Sequence, residues 1–191
     1  TFKSATANTI TYEYTIQAGD NGKIYSTSYT GTVYDYARLG TNTTGNSLTV
    51  SNKTLGGNTE VWADTTAPTL QSINVTSPAN ETYRAGEKIT IVATYADNFS
   101  SKHDSIYAAS RGAFTSSNAP VLKINFKLGE TSGTERTTTF KSATANTITY
   151  GYTIQAGDNG KIYSTSYTGT VYDYARLGTS TTGNSLTVSN K

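Results

Sequence analysis

Residues 1–53 return at 139–191, an offset of 138, with 51 of 53 positions identical. The two differences are Glu13 against Gly151 and Asn42 against Ser180. A period this long exceeds the 20–50 residues of solenoid repeats and suits a whole domain with its connecting segment. The chain is therefore expected to open inside one unit, cross a junction and stop inside the next. On this division residues 1–63 are the C-terminal half of one domain. Residues 64–191 are a nearly complete second one that lacks the end of its last strand. Copies this similar have had little time to diverge, so the duplication does not pick out functional residues.

Within the period the dominant pattern is alternation. Ile89, Ile91, Ala93 and Tyr95 share one face of a segment at 88–95, the period of two that marks a half-buried strand. Leu122, Ile124, Phe126 and Leu128 do the same at 121–128, and Ile148, Tyr150, Tyr152 and Ile154 at 147–154. Further strands are expected at 70–75 with Ile73 and Val75 inward, at 135–141 as a Thr-rich outer strand, and at 162–174 with a bulge at Gly169. A last one is expected at 185–189, with Leu186 and Val188 inward. Composition agrees: 38 Thr and 15 Tyr among 191 residues favour the pleated surface of a sheet. No segment keeps a helical apolar period over three turns. The fold class read from this is all-β, an antiparallel β-sandwich of about seven strands.

Other counts narrow the function. The 15 basic and 13 acidic residues nearly cancel, which leaves no concentrated basic surface for nucleic acid. With no cysteine, a disulfide framework and a thiolate metal site are both excluded. The apolar runs are too short for a membrane-spanning helix.

Several stretches resemble the bacterial Ig-like tandem repeats of large cell-surface adhesins and biofilm-associated proteins. The linker Asp64-Thr65-Thr66-Ala67-Pro68-Thr69, leading to Val75-Thr76-Ser77-Pro78, is similar to the start of such a repeat. Ala85-Gly86-Glu87-Lys88-Ile89-Thr90-Ile91 is similar to its second strand, and Tyr152-Thr153-Ile154-Gln155-Ala156-Gly157-Asp158 to its turn. Val171-Tyr172-Asp173-Tyr174-Ala175 resembles the family's ending, although Arg176-Leu177-Gly178 follows where Gly-Asn is usual. The resemblance implies an immunoglobulin-like sandwich outside the cell, at the surface and associated with the cell wall. It implies a stalk or spacer that holds a distal region away from the cell, has no enzymatic activity and touches mainly its neighbouring repeats. It also implies calcium at the joint between domains, where Asp64 in the linker and Asp20 or Asp158 in the Gln-Ala-Gly-Asp turn are the candidate ligands. Against this, Asp in a turn commonly bonds its own backbone.

Two other readings stay open. The connection at 97–120 is longer than the family's and carries Lys102, His103, Tyr107, Arg111 and Phe114, a set suited to a glycan or a host protein. Exposed tyrosines among Tyr150, Tyr152, Tyr163, Tyr167, Tyr172 and Tyr174 would extend such a surface, and cross-strand packing is their structural alternative. The chain can also be an accessory domain of an extracellular enzyme. The only histidine, His103, sits beside Asp104, but no nucleophile-elbow motif accompanies it. Lys–Asn or Thr–Gln cross-links find no sequence signature that singles out a pair. Finally, residues 64–138 can pair with either copy of the later strands. The contiguous copy should win, which leaves residues 1–63 to be completed by strand exchange or head-to-tail association.

Overall fold

The computed structural model describes residues 1–24, 31–34, 47–50, 62–77, 82–97, 105–129, 131–175 and 183–189. They form two compact units, residues 1–16 with 20–63 and residues 17–19 with 64–191. Strands in order are β1 (Phe2–Ala5), β2 (Ile10–Tyr12), β3 (Gly22–Lys23), β4 (Gly31–Tyr34), β5 (Ser47–Val50) and β6 (Trp62–Ala63). They continue with β7 (Thr69–Ser77), β8 (Lys88–Ala96), β9 (Val121–Leu128), β10 (Thr131–Ser132) and β11 (Arg136–Thr137). The last four are β12 (Thr139–Ala143), β13 (Thr147–Thr153), β14 (Lys161–Tyr172) and β15 (Ser185–Val188). A 3₁₀ turn at Ala109–Arg111 is the sole helical piece among the described residues.

The larger unit is all-β and built of antiparallel sheets. One sheet runs β12-β13-β8-β7. In the other, β9 pairs with β14 and β14 with β15, while the short β10 and β11 both line the far edge of β9. The alternating residues of both sheets meet in one apolar cluster, a sandwich-like arrangement. Ile89, Ile91, Ala93 and Tyr95 from β8 are all buried, as are Leu122, Ile124 and Phe126 from β9 and Ile148, Tyr150 and Tyr152 from β13. Leu128, expected on that inward face, lies exposed at the strand end. Inside the cluster the Tyr167 hydroxyl bonds those of Tyr95 and Tyr150, and Tyr150 donates to the Pro120 carbonyl at 2.7 Å. Three phenols can thus be buried without orphaned hydroxyls.

Two strand expectations need correction. The outer strand at 135–141 is really β11 on one sheet and β12 on the other. The chain changes sheets at buried Thr138, whose N–H and hydroxyl both donate to the Leu122 carbonyl, at 3.0 and 2.9 Å. Around Gly169 there is no bulge; the register shift lies between Ser164 and Ser166. Gly169 marks where β14 passes from pairing with β9 to pairing with β15. Its φ is 146°, and a Cβ there would lie 2.7 Å from Pro120 Cα. Close backbone approach, not an extra residue, requires the glycine.

The smaller unit repeats local pieces of the larger one. Phe2, Ser4 and Ala5 pair with Tyr12, Thr11 and Ile10, as Phe140, Ser142 and Ala143 pair with Tyr150, Thr149 and Ile148, with the same register shift. Likewise β4 and β5 pair in the register of β14 and β15. Burial is what differs. Ile10 and Tyr12 are 41% and 56% exposed where Ile148 and Tyr150 are 0% and 2%. The difference is the missing neighbours: β8, which pairs along the whole of β13, and β9, whose inward residues share its core cluster, have no counterparts in the smaller unit among the described residues.

Candidate functional site

Where residues 64–68 lead into β7, three carboxylates converge. Asp64, Asp97 and Asp173 each present an oxygen within 4.8 Å of the others. Asp97 and Asp173 are buried and Asp64 is half-buried. Alternation explains the burial. Asp97 continues the inward parity of Ile89, Ile91, Ala93 and Tyr95 one step past β8, and Asp173 continues that of Tyr167 and Val171 one step past β14. A side chain at such a position points toward the core whatever its polarity.

Asp173 is held in detail. One carboxylate oxygen accepts the backbone N–H groups of Ala175 at 2.9 Å and Asn184 at 2.7 Å, and the other accepts the Asn184 side-chain amide at 2.7 Å. The same amide nitrogen lies 3.2 Å from the Asp64 carbonyl and 3.3 Å from that of Thr66. Asn184 therefore ties the chain leading into β7 to the β14–β15 hairpin. Gly183 makes room for this, since a Cβ there would collide with the Asp173 carboxylate and carbonyl. Asp64 accepts the Thr66 N–H at 3.1 Å. Burial pushes the Asp173 carboxyl above the ordinary carboxylate range; bonds from Asn184 and Ala175 oppose this, and the Asp64 charge adds to it.

Three charges this close repel one another by about 3 kcal/mol per pair at an effective dielectric of ~20. A proton or a cation relieves that repulsion. The donor set is all hard oxygen, the kind calcium takes at roughly 2.3–2.6 Å. Two ligands on opposite sides of one such ion stand about 4.8 Å apart, so the spacing fits a single calcium touching all three carboxylates.

Of the calcium candidates in the sequence, Asp64 belongs to this cluster and the other two do not. Asp158 accepts from Arg136 Nε at 2.9 Å, the Tyr152 hydroxyl at 2.6 Å and the Gln155 N–H at 2.8 Å. Burial alone would raise its pKa, but those three bonds and the Arg136 charge outweigh it and leave the carboxyl below its ordinary value. Asp158 is thus a filled structural acceptor. Asp20 repeats part of that turn, accepting the Tyr14 hydroxyl at 2.7 Å.

Part of the described stretch of the long connection packs against the sandwich. Tyr107 exchanges backbone hydrogen bonds with Tyr172, at 2.7 and 2.9 Å, and its ring lies 6.0 Å from that of Tyr174. Ile106 is buried in the core, and Phe114 packs partly buried against it. Lys102 and His103 lie outside the described residues, as does the side chain of Arg111. Tyr150, Tyr152 and Tyr167 are buried, so cross-strand packing, not an aromatic platform, accounts for them. The sequence reading missed Asp97 and Asp173 as partners of Asp64. The available signal was an acid at the inward parity of an apolar strand.

No protein-family model matches this chain, and no curated protein or solved structure is significantly similar to it.

Proposed function

We propose that this chain is a slice of the load-bearing stalk of an extracellular bacterial surface protein, built from tandem immunoglobulin-like units. The observation that carries the reading is the 138-residue duplication, whose two copies make the same β-hairpins in the same registers. The strand order supports the immunoglobulin-like assignment. β7-β8-β13-β12 corresponds to A-B-E-D of the constant-type fold, and β9-β14-β15 to C-F-G.

The carboxylate cluster gives the stalk a joint. Tension arriving along residues 64–68 reaches Asn184 and the three carboxylates before it reaches the β7 ladder. A calcium ion held by Asp64, Asp97 and Asp173 would link the incoming segment to β8 and to the β14–β15 hairpin. What the ion supplies is charge neutralisation and cross-linking. Asn184 supplies the neutral part of the same clamp.

Single-molecule pulling on a polyprotein of consecutive 138-residue units tests this. Each unit extends to about 48 nm at roughly 3.5 Å per residue, so each should release roughly 44 nm once its folded length of a few nanometres is subtracted, in evenly spaced peaks. Those peaks should rise in force with calcium. A featureless force curve overturns the stalk reading. Regular peaks that ignore calcium, in the parent and in Asp97→Asn alike, overturn the cation joint alone.

A further inference from the structure

The hairpin β1–β2 and the residues that follow it expose an apolar row. Phe2, Ile10, Tyr12, Tyr14 and Ile16 are all exposed, while Ile148, Tyr150, Tyr152 and Ile154 in the duplicate are buried. The duplicate also records which strand pairs beside such a row, while Leu122, Ile124 and Phe126 of the facing sheet pack over it. β8 lies against β13 with Ala93 opposite Ile148, Ile91 opposite Tyr150, Thr90 opposite Gly151 and Ile89 opposite Tyr152. Ten of the eleven residues at 6–16 are identical to those at 144–154, so the same strand fits the same surface.

The one difference makes the fit more specific. Gly151 lies on the outer face of its sheet, in a shallow groove lined also by Lys88, Thr90 and Lys141. A Cβ on Gly151 would meet the Lys141 side chain. In the other copy this position is Glu13, which already pairs with Lys3, the counterpart of Lys141, at 2.9 Å. A β8-like strand docked in the β13 register would bring its own Lys88 diagonally beside Glu13, within reach across a sheet. The carboxylate would then sit between two lysines. Glutamate also holds strand conformation better than glycine.

We propose that the exposed edge and face of residues 1–16 form an acceptor site for a β-strand from outside residues 1–191 with the chemistry of Lys88–Ala96. That chemistry is apolar residues at every second position and a lysine at the N-terminal end. The strand adds beside β2 by main-chain pairing, with Ala93-, Ile91- and Ile89-type residues as cross-strand neighbours of Ile10, Tyr12 and Tyr14. The site does not depend on the protein being a stalk, because it follows from the duplicate hairpin alone. Among the described residues there are two such hairpins and one β8, and that β8 is paired with β13. An unpaired β8-type strand is therefore the occupant that satisfies both hairpins.

The test uses the full chain and synthetic peptides of residues 86–97. Because the chain lacks cysteine, Tyr12→Cys introduces a unique thiol. Under mild oxidation it should form a disulfide with a peptide carrying Ile91→Cys at least tenfold faster than with one carrying Val92→Cys, which points to the other face. Tyr150→Cys in the same assay should stay unlinked, since β8 already holds the pairing position beside it. Independently, Glu13→Lys should weaken peptide binding by fluorescence anisotropy about tenfold, and a peptide with Lys88→Glu should restore it. No cross-link, equal cross-linking of the two peptides, or loss on Glu13→Lys without rescue would each overturn the proposal. So would a concentration-dependent dimer of the chain that excludes the peptide, which would make a second copy the occupant.

Discussion

Replacing Ile148 with alanine, and separately Ile10 with alanine, deletes the same atoms from nearly identical stretches of chain in opposite surroundings. Ile148 is fully buried on the inward face of β13, beside Ala93 of β8, while Ile10 is 41% exposed. Three carbons are removed in each case. At about 0.8 kcal/mol per buried carbon the transfer loss at Ile148 is about 2.4 kcal/mol. The cavity left among β8, β9 and β13 brings the total to about 3–4 kcal/mol. At position 10 no surrounding core is left hollow, and a cost of about 1 kcal/mol or less is expected. Near-UV circular dichroism of the buried tyrosines follows the larger unit directly, because Tyr95, Tyr150 and Tyr167 all lie in its core. Its melting temperature should fall by roughly 12 °C in Ile148→Ala and stay in place in Ile10→Ala. Equal shifts in the two variants would refute the reasoning, because the row at Ile10 would then be as covered as the row at Ile148.

Tyr167→Phe removes the hydroxyl that joins Tyr95 to Tyr150 and should cost about 1–3 kcal/mol in urea unfolding; an unchanged midpoint would mean that the bond contributes nothing. Burial pushes the Tyr150 phenol up to about 12, so the folded state keeps a proton that the unfolded chain loses near pH 10. Stability should therefore decline as pH rises above about 10, with ionisation at 295 nm tracking unfolding. Asp158 carries the opposite sign: its lowered pKa gives stability that is present above the ordinary carboxylate value and lost as pH falls through that range. Arg136→Gln should remove about 1–2 kcal/mol of it at neutral pH and flatten the acid limb of a melting-temperature profile. Asp97→Asn should raise stability in a chelating buffer, by relieving repulsion with Asp64 and Asp173, and abolish any rise in melting temperature with calcium; a calcium response that survives the substitution sinks the three-carboxylate site.

Most of the sandwich was legible because its central strands bury one face each. Ile89 to Tyr95, Leu122 to Phe126 and Ile148 to Tyr152 alternate without interruption, and all of those inward residues are buried. Legibility fails where the cause is not periodic. The change of sheet at Thr138 depends on one side chain reaching the Leu122 carbonyl, and nothing in a Thr-rich run marks which threonine does so. Gly169 reads as a bulge from sequence because only the fold brings Pro120 against it. Of the carboxylate site, the sequence pointed to Asp64 through its place in the linker. Asp97 and Asp173 are 76 residues apart, and only the crossing of β8 and β14 at one end of the sandwich brings them together.

The duplicated hairpin separates two contributions that a single domain mixes. Turn chemistry belongs to the local sequence. The Thr6–Thr9 and Thr144–Thr147 backbone bonds, at 2.8 and 2.9 Å, and the shifts after Phe2 and Phe140 are the same in both copies. Burial belongs to the strands packed around it, beside it and in the facing sheet, since the identical Tyr12 and Tyr150 end up 56% and 2% exposed. A segment whose local shape is set in advance and whose core is supplied by another segment can be completed by any chain that presents the right strand. The Glu13–Gly151 difference is then a substitution at the contact where the two acceptors would differ in their choice of partner. Gly151 accepts a strand whose register is enforced by the contiguous chain. Glu13 adds a charge that favours one lysine-bearing strand in one register.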